Sequence, residues 1–398
     1  MPSFPQPANW TRRLPANVFA PLIERAHAAG GKLVPLHIGD SYLSPPAEAL
    51  AEAQQAAGET SRFRYGIVGG HHDLRRRLVR RVTERNGLPG VTEPRLLITV
   101  GATQALYCAA RVIAQPGDEV LVLSPHYPLI PQAITATGAT AVQVPFHDRL
   151  GTSSATELLR PHLSARTVGI VVTTPNNPDG SVLGRDTLQQ IAALAADHDL
   201  WIVSDESYEL IRYPGCKPHV SIGSLPEATD RTFSIFSFSK AFGLAGARIG
   251  YTVTPPALAE AMNTTVMLSA VHASNVAQAA AWGALEAEAD YIPRLCDRFA
   301  RARDIVAANL SVPHRVPDAA PYVFLDVSRY LDGLPPARFI ERLVDETGVL
   351  VTPGAAFGDA YASWIRLCFT SVDSDTLYAA VSALDAFLAG PALTSAVG

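Results

Sequence analysis

The sequence predicts an α/β chain: a large three-layer domain on a mostly parallel seven-stranded sheet, with a smaller α+β domain beside it. Three observations carry this. Short, nearly all-apolar strands such as "RLLITV", "DEVLVLSP", "TVGIVVTTP" and "LWIVSDES" alternate with amphipathic helices, as strands buried on both faces do. At 398 residues the chain is too long for one ordinary core. Beyond the long helical stretch "QAAAWGALEAEADYIPRLCDRFARARDIVAANL" that alternation gives way to a different texture.

Taken in order, the first forty-odd residues are broken by prolines and end in "LVPLHIGDSYLSPP", where "LVPLHIG" reads as a short strand stopped by a glycine. A helical pattern covers 47–57. "HDLRRRLVRRVTERNG" is a strong helix, with Asp73 near its start and Gly87 as its stop. Its arginines, Arg75, Arg76, Arg77, Arg80 and Arg81, read as one solvated face. Then come "RLLITV" (strand), "ATQALYCAARVIA" (helix), "DEVLVLSP" (strand), "YPLIPQAITATG" (helix) and "TAVQVPF" (strand). "TVGIVVTTP", "DTLQQIAALAADHD" and "LWIVSDES" repeat the alternation, and "TFSIFSFS" and "ARIGYTVT" are two more strands. "PYVFLDVS", a helix over 337–347, "VLVTPG", "WIRLCFT" and a last helix make the α+β segment. The natural division is a large domain over 47–282 and a small domain from 1–46 and 283–398.

Composition narrows the function. Apolar residues are 48% and charged residues 17%, and the net charge is −5, so no basic field favours nucleic acid. The four cysteines, Cys108, Cys216, Cys296 and Cys368, lie far apart with no metal-ligand spacing and read as reduced thiols in or near the core. The N-terminal stretch lacks an apolar signal segment, and no apolar run reaches membrane-spanning length. The expectation is a cytoplasmic enzyme without metal, nucleic acid or membrane.

Only three lysines, Lys32, Lys217 and Lys240, stand against 29 arginines. Lys240 sits among small and apolar residues in "SFSKAFGLAGARIGY". A lysine is required where an amine must lose its proton and attack a carbonyl, which guanidinium cannot do; an exposed turn is the plainer alternative. In an open α/β sheet, ligands bind beyond the carboxyl ends of the strands. There Gly101, Ala102 and Thr103 open a helix, which makes either an anion site or ordinary helix punctuation. Tyr127 either covers a flat ring or packs in the core. Asn177 lies in "NNPDG", as turn chemistry or as a donor to a ring oxygen. Asp205 ends an apolar strand and needs a cation, and Tyr208 follows one helical turn later. Ser237, Ser239, Lys240 and Arg248 converge near one more strand end. Arg366, inside "WIRLCFT", needs an anion: a ligand carboxylate or an internal acid. Together these groups describe a planar ring with a phosphate arm, a basic nitrogen, a phenolate and an aldehyde, which is pyridoxal 5′-phosphate.

On these motifs, with "YGIVGGHHDLRRRL", "TPNNPDG", "SDESYEL" and "VLVTPGAAFG", the chain resembles the fold-type I pyridoxal-phosphate enzymes, and within them the class I/II aminotransferases close to bacterial aspartate aminotransferase. The resemblance covers nearly the whole chain. It implies Lys240 as the Schiff-base lysine and proton shuttle. It implies Asp205 on the ring nitrogen, Asn177 and Tyr208 on the phenolic oxygen, and Tyr127 stacked on the ring. Ala102, Thr103, Ser237 and Arg248 would bind the phosphate, with Tyr65 reaching the phosphate of a partner subunit in a homodimer with shared active sites. Gly39, Asn177 and Arg366 would hold the substrate carboxylate. The implied activity moves an amino group from an α-amino acid to a 2-oxo acid.

Two departures bear on the substrate. Asp40-Ser41 replaces the family's Glu-Pro. The stretch over 264–278, read as a loop, carries His272 and no arginine or lysine, and Thr103 is no cation. Aspartate aminotransferases place a cation at one of these positions to read the distal carboxylate. The expected donor is therefore not aspartate, unless Arg12 or Arg13 swings in; His272 is a candidate reader of a polar side chain. A lyase, cyclase or oxidase on the same scaffold is the alternative, and a ligand-sensing regulator a third.

Overall fold

The computed structural model describes residues 6–12, 14, 24–25 and 33–390; Lys32 and Arg13 lie outside them. The strand expected over "LVPLHIG" shrinks to β1, Val34–Pro35. Seven strands follow: β2 Leu96–Thr99, β3 Glu119–Ser124, β4 Thr140–Pro145, β5 Thr167–Thr173, β6 Trp201–Asp205, β7 Thr232–Ser237 and β8 Gly250–Val253. They form one sheet in the order β2-β8-β7-β6-β5-β3-β4. Only β8 runs against its neighbours, pairing antiparallel with β2 and β7.

Alternate residues of each strand serve opposite faces. Val120, Val122, Val171, Val203 and Phe233 pack on one side against helix Gly101–Ile113. Leu121, Leu123, Ile170, Val172 and Ile202 pack on the other against helix Arg185–Asp197. Both faces are covered, which is why these strands read as unbroken apolar runs.

The remaining strands are β9 Tyr322–Asp326, β10 Val349–Leu350, β11 Thr352–Pro353 and β12 Trp364–Cys368. A three-stranded antiparallel sheet has the order β11-β12-β9, and β1 pairs in parallel with β10. Helix Asn275–Asn309 runs 35 residues through the expected boundary at 282 without a break.

Two sequence expectations change here. Helix Ala259–Ala270 occupies much of the stretch read as a loop. The arginines of helix His72–Asn86 are not one solvated face. Arg75 is buried and its Nε donates to Leu96 O. Arg81 reaches Glu209 at 2.9 Å and Glu288 at 2.9 Å, and donates to Tyr251 Oη. Among five closely spaced arginines, the sequence carries no mark of which two face inward.

Candidate active site

A cavity of about 860 Å³ opens where β5, β6 and β7 end and the three-stranded sheet faces them. Every proposed site residue except Tyr65 lines it. Tyr65 is 89% exposed, outside that wall.

The anionic end is built by backbone geometry. Gly101 has φ +72° and opens helix Gly101–Ile113. A Cβ on it would sit 2.8 Å from Nη2 of Arg248, so a side chain there would displace the guanidinium. Arg248 Nη1 donates to Ala245 O at 2.9 Å, and no carboxylate pairs with it among the described residues. Ser237 Oγ accepts from Ser239 N–H at 3.1 Å, which leaves the hydroxyl hydrogen for a ligand. A helix N-terminus, an unpaired guanidinium and two hydroxyls make a dianion site.

Across the cavity, Asp205 ends β6 and is 8% exposed. Its Oδ1 accepts from Ser207 N at 3.1 Å and Ser207 Oγ at 2.6 Å. No described cation is within ion-pair distance. Burial pushes its carboxyl above the usual range, against the Ser207 hydrogen bonds and Lys240. Lys240 Nζ donates to Gly39 O at 2.5 Å. Burial lowers the basicity of its amine, and the charges of Arg366 and Arg248 lower it further.

Arg366 lies within β12 and is buried. Its Nη1 donates to Asn177 Oδ1 at 2.9 Å, and its Nη2 donates to His37 O at 2.6 Å. Nε has no partner. The internal acid that sequence reasoning weighed for Arg366 is absent among the described residues. Its guanidinium stacks between Tyr322, 4.4 Å from the ring centroid, and Phe357, at 5.0 Å. Burial and the Arg366 charge hold His37 down to about 4, so its imidazole stays neutral beside that cation.

Tyr322 was missed from sequence, where it is one aromatic in the strand "PYVFLDVS". Its hydroxyl is 2.7 Å from the Tyr208 hydroxyl. A Cβ on Gly39 would fall 2.0 Å from that oxygen, so glycine is required where Tyr322 crosses. His272 is also revised. Gly66 N–H donates to its Nε2 at 2.8 Å, and its Nδ1 lies 2.8 Å from Ala273 O. Both ring nitrogens are engaged, so it pins the Tyr65 loop and has no free atom to read a substrate. Arg12 Nη2 donates to Gln6 Oε1 at 2.6 Å.

Among the described residues, an open anion cradle, a buried carboxylate without an ion pair, a lysine of lowered basicity and a buried arginine without a counter-ion share one cavity. The comparisons place it in a family. The model of "Aminotransferase class I and II" matches residues 31–384, and the chain belongs to that family. It is 33% identical over 345 residues to the arginine–pyruvate transaminase of Pseudomonas aeruginosa, covering 85% of this chain and 86% of that one. It is 34% identical over 344 residues to the aspartate/prephenate aminotransferase of Thermus thermophilus, covering 84% and 87%. A single-mutant aspartate aminotransferase of Thermus thermophilus superposes with TM-score 0.89 at 29% identity, covering 96% of this chain and all of that one. The chain is an aminotransferase, which moves an amino group between an amino acid and a 2-oxo acid.

Proposed function

We propose that this aminotransferase works with pyridoxal 5′-phosphate held at the cavity described, on an α-amino donor other than aspartate. The observation that carries the cofactor is the pair of uncompensated buried charges, Asp205 and Arg366, since a buried charge without a partner is costly. Asp205 fits a protonated ring nitrogen, and Arg248 with Ala102, Thr103 and Ser237 fits the phosphate. Tyr127 covers the ring face, while Asn177 and Tyr208 serve the phenolic oxygen.

When bound, the cofactor supplies a carbonyl carbon for the substrate nitrogen and a ring that withdraws the electron pair left on Cα. Asp205 keeps that ring protonated. Arg366, with Asn177 and the Gly39 backbone, fixes the substrate carboxylate and so orients the Cα–H bond. Lys240, less basic than an exposed lysine, would take the Cα proton and return it on the far side of the substrate nitrogen. Run with a second 2-oxo acid, the same groups act in reverse, giving ping-pong kinetics.

The donor reading rests on charge. Among the described residues, Lys240, Arg248 and Arg366 are the only lysine or arginine side chains lining the cavity, and each already has a role. The domain division at 282, the homodimer with Tyr65 reaching the partner's phosphate, and a cytoplasmic location belong to the same proposal; no described helix is long and apolar enough to cross a membrane. Borohydride reduction of the loaded enzyme followed by peptide mapping tests the cofactor site. The pyridoxyl label is expected on Lys240, and a label on Lys32 or Lys217 overturns the assignment. Formation of pyridoxamine phosphate with an amino acid alone separates transamination from lyase, cyclase or oxidase chemistry.

A further inference from the structure

Back to back with the active-site cavity lies a second one of about 510 Å³. Pro125 lines it, while the next residue, His126, lines the first. None of the residues assigned above to cofactor or substrate takes part in its wall.

One side is aromatic. The Phe324 and Trp364 rings lie 4.7 Å apart, and Tyr361 stands edge-on to Trp364 at 5.7 Å. Three aspartates and two histidines give the wall its acceptors, beside the donors of Arg315, Tyr361 and Trp364. His147 is 5% exposed, and its Nδ1 lies 3.0 Å from Ser181 Oγ. That hydroxyl donates to Asp179 Oδ1 at 2.9 Å. A carboxylate only accepts, so the serine hydrogen goes to Asp179 and the imidazole proton sits on Nδ1. Burial lowers the basicity of the ring, against the charge of Asp179. Nε2 is left with a lone pair and no partner among the described residues. His314 repeats the pattern: its Nδ1 lies 2.8 Å from Val312 O, which can only accept, and its Nε2 is buried without a partner.

Asp148, Asp179 and Asp326 add carboxylates to the same wall. Asp179 Oδ1 accepts from Asn176 and Ser181, and Asp326 Oδ1 from Ser328 N–H, but neither forms an ion pair among the described residues, and Arg315 of the same wall is 2.5 Å from Asp318. Carboxylates without an ion pair, two imidazoles that each keep an unpartnered buried nitrogen, and three rings call for a positively charged donor with a flat body. A metal ion does not fit, because no three metal-ligating side chains are grouped to hold one among the described residues. The volume lies within the roughly 300–1,000 Å³ of small-molecule sites and far exceeds the ~30 Å³ share of one water.

We propose that this cavity binds a small planar organic cation carrying several N–H donors, of the aryl-guanidinium class, at a site separate from transamination. Its cation lies against Asp179 and Asp326, beside the His147 and His314 imidazoles, and its ring against Trp364 and Phe324.

Calorimetric titration of the loaded enzyme tests this with phenylguanidinium, which lacks the amine of an amino donor, and with phenylurea, its neutral counterpart. Phenylguanidinium is expected to bind once per chain and at least tenfold tighter than phenylurea, without changing the cofactor absorption spectrum. Asp326→Asn, at an exposed position, is expected to weaken phenylguanidinium at least fivefold and leave phenylurea unaffected. Trp364→Leu is expected to weaken both, with melting temperatures confirming that each variant is folded. No binding, equal affinity for the two probes, or affinity untouched by Asp326→Asn overturns the proposal. A change in the cofactor spectrum on binding also overturns it, since the probe is then in the transamination cavity.

Discussion

At Asp205 a carboxylate ends a buried strand with two hydrogen bonds and no cation. Its proton affinity in the folded chain is raised by burial, so the sign of its effect on stability is set. Below the unfolded value of about 3.9 the group is neutral in both states and costs nothing. As pH rises above that, the unfolded chain ionises more readily and the folded state loses stability. Asp205→Asn is therefore expected to raise the melting temperature of the cofactor-free protein at pH 7.5, with the gain shrinking toward pH 4. Loading the cofactor should remove the wild type's disadvantage, because the ring nitrogen then pairs with the carboxylate. A variant no more stable than wild type at pH 7.5 would falsify the view of Asp205 as an unpaired charge. Thr103 bears on the substrate. Thr103→Lys is expected to raise kcat/KM for aspartate tenfold or more, roughly 1.4 kcal/mol in transition-state binding. If wild type already prefers aspartate by that margin over aromatic, aliphatic and basic donors, an unrecognised cation serves the pocket and the donor reading fails.

Among the elements, helix His72–Asn86 shows how a charged sequence becomes a core element. Its αL stop at Gly87, φ +67°, is where the sequence puts it. One of its two inward arginines, Arg81, ties the helix to Glu209 and to Glu288 of helix Asn275–Asn309. Removing Arg81 leaves Glu209 buried without an ion pair, while Arg85 still holds Glu288 at 2.8 Å, at a cost of about 3–5 kcal/mol. Arg81→Met should lower stability by that amount in urea unfolding, and a change under about 1 kcal/mol would mean that water screens the acids. Helix Ala259–Ala270 ends in a strained turn: Val271 has φ +59° and ψ −66°, and His272 N donates to Ala270 O at 2.6 Å. A β-branched residue in that region is unfavourable. The bond from Gly66 N–H to His272 holds the turn against the Tyr65 segment.

At the scale of the molecule, that junction is where large apolar groups are most exposed among the described residues. Phe63 is 71%, Tyr65 89% and Leu268 79% accessible, as expected for a surface that a second copy covers. Mixing Lys240→Ala with Tyr65→Phe chains tests shared sites, given that each variant alone is severely impaired. One site per mixed dimer then draws both intact residues from different chains, and activity should return. A fully active monomer in sedimentation rules the arrangement out.

Sequence alone determined the parallel sheet, its two covered faces and the order of the strand-end groups. Apolar period and turn residues are local, and a parallel sheet puts successive loops on one edge whatever the details of packing. Lys240 stood out because guanidinium cannot replace an amine that must lose its proton. Tertiary structure decided the rest. That Arg81 of helix His72–Asn86 turns inward depends on acids more than 120 residues away. The hydroxyl contact between Tyr208 and Tyr322, and the glycine required beneath it, join three distant segments. Arg366 could be read as part of an ion pair or as a carboxylate fork until the fold left it with no acid among the described residues. Such contacts arise from the packing of distant elements, and no local pattern in the chain encodes them.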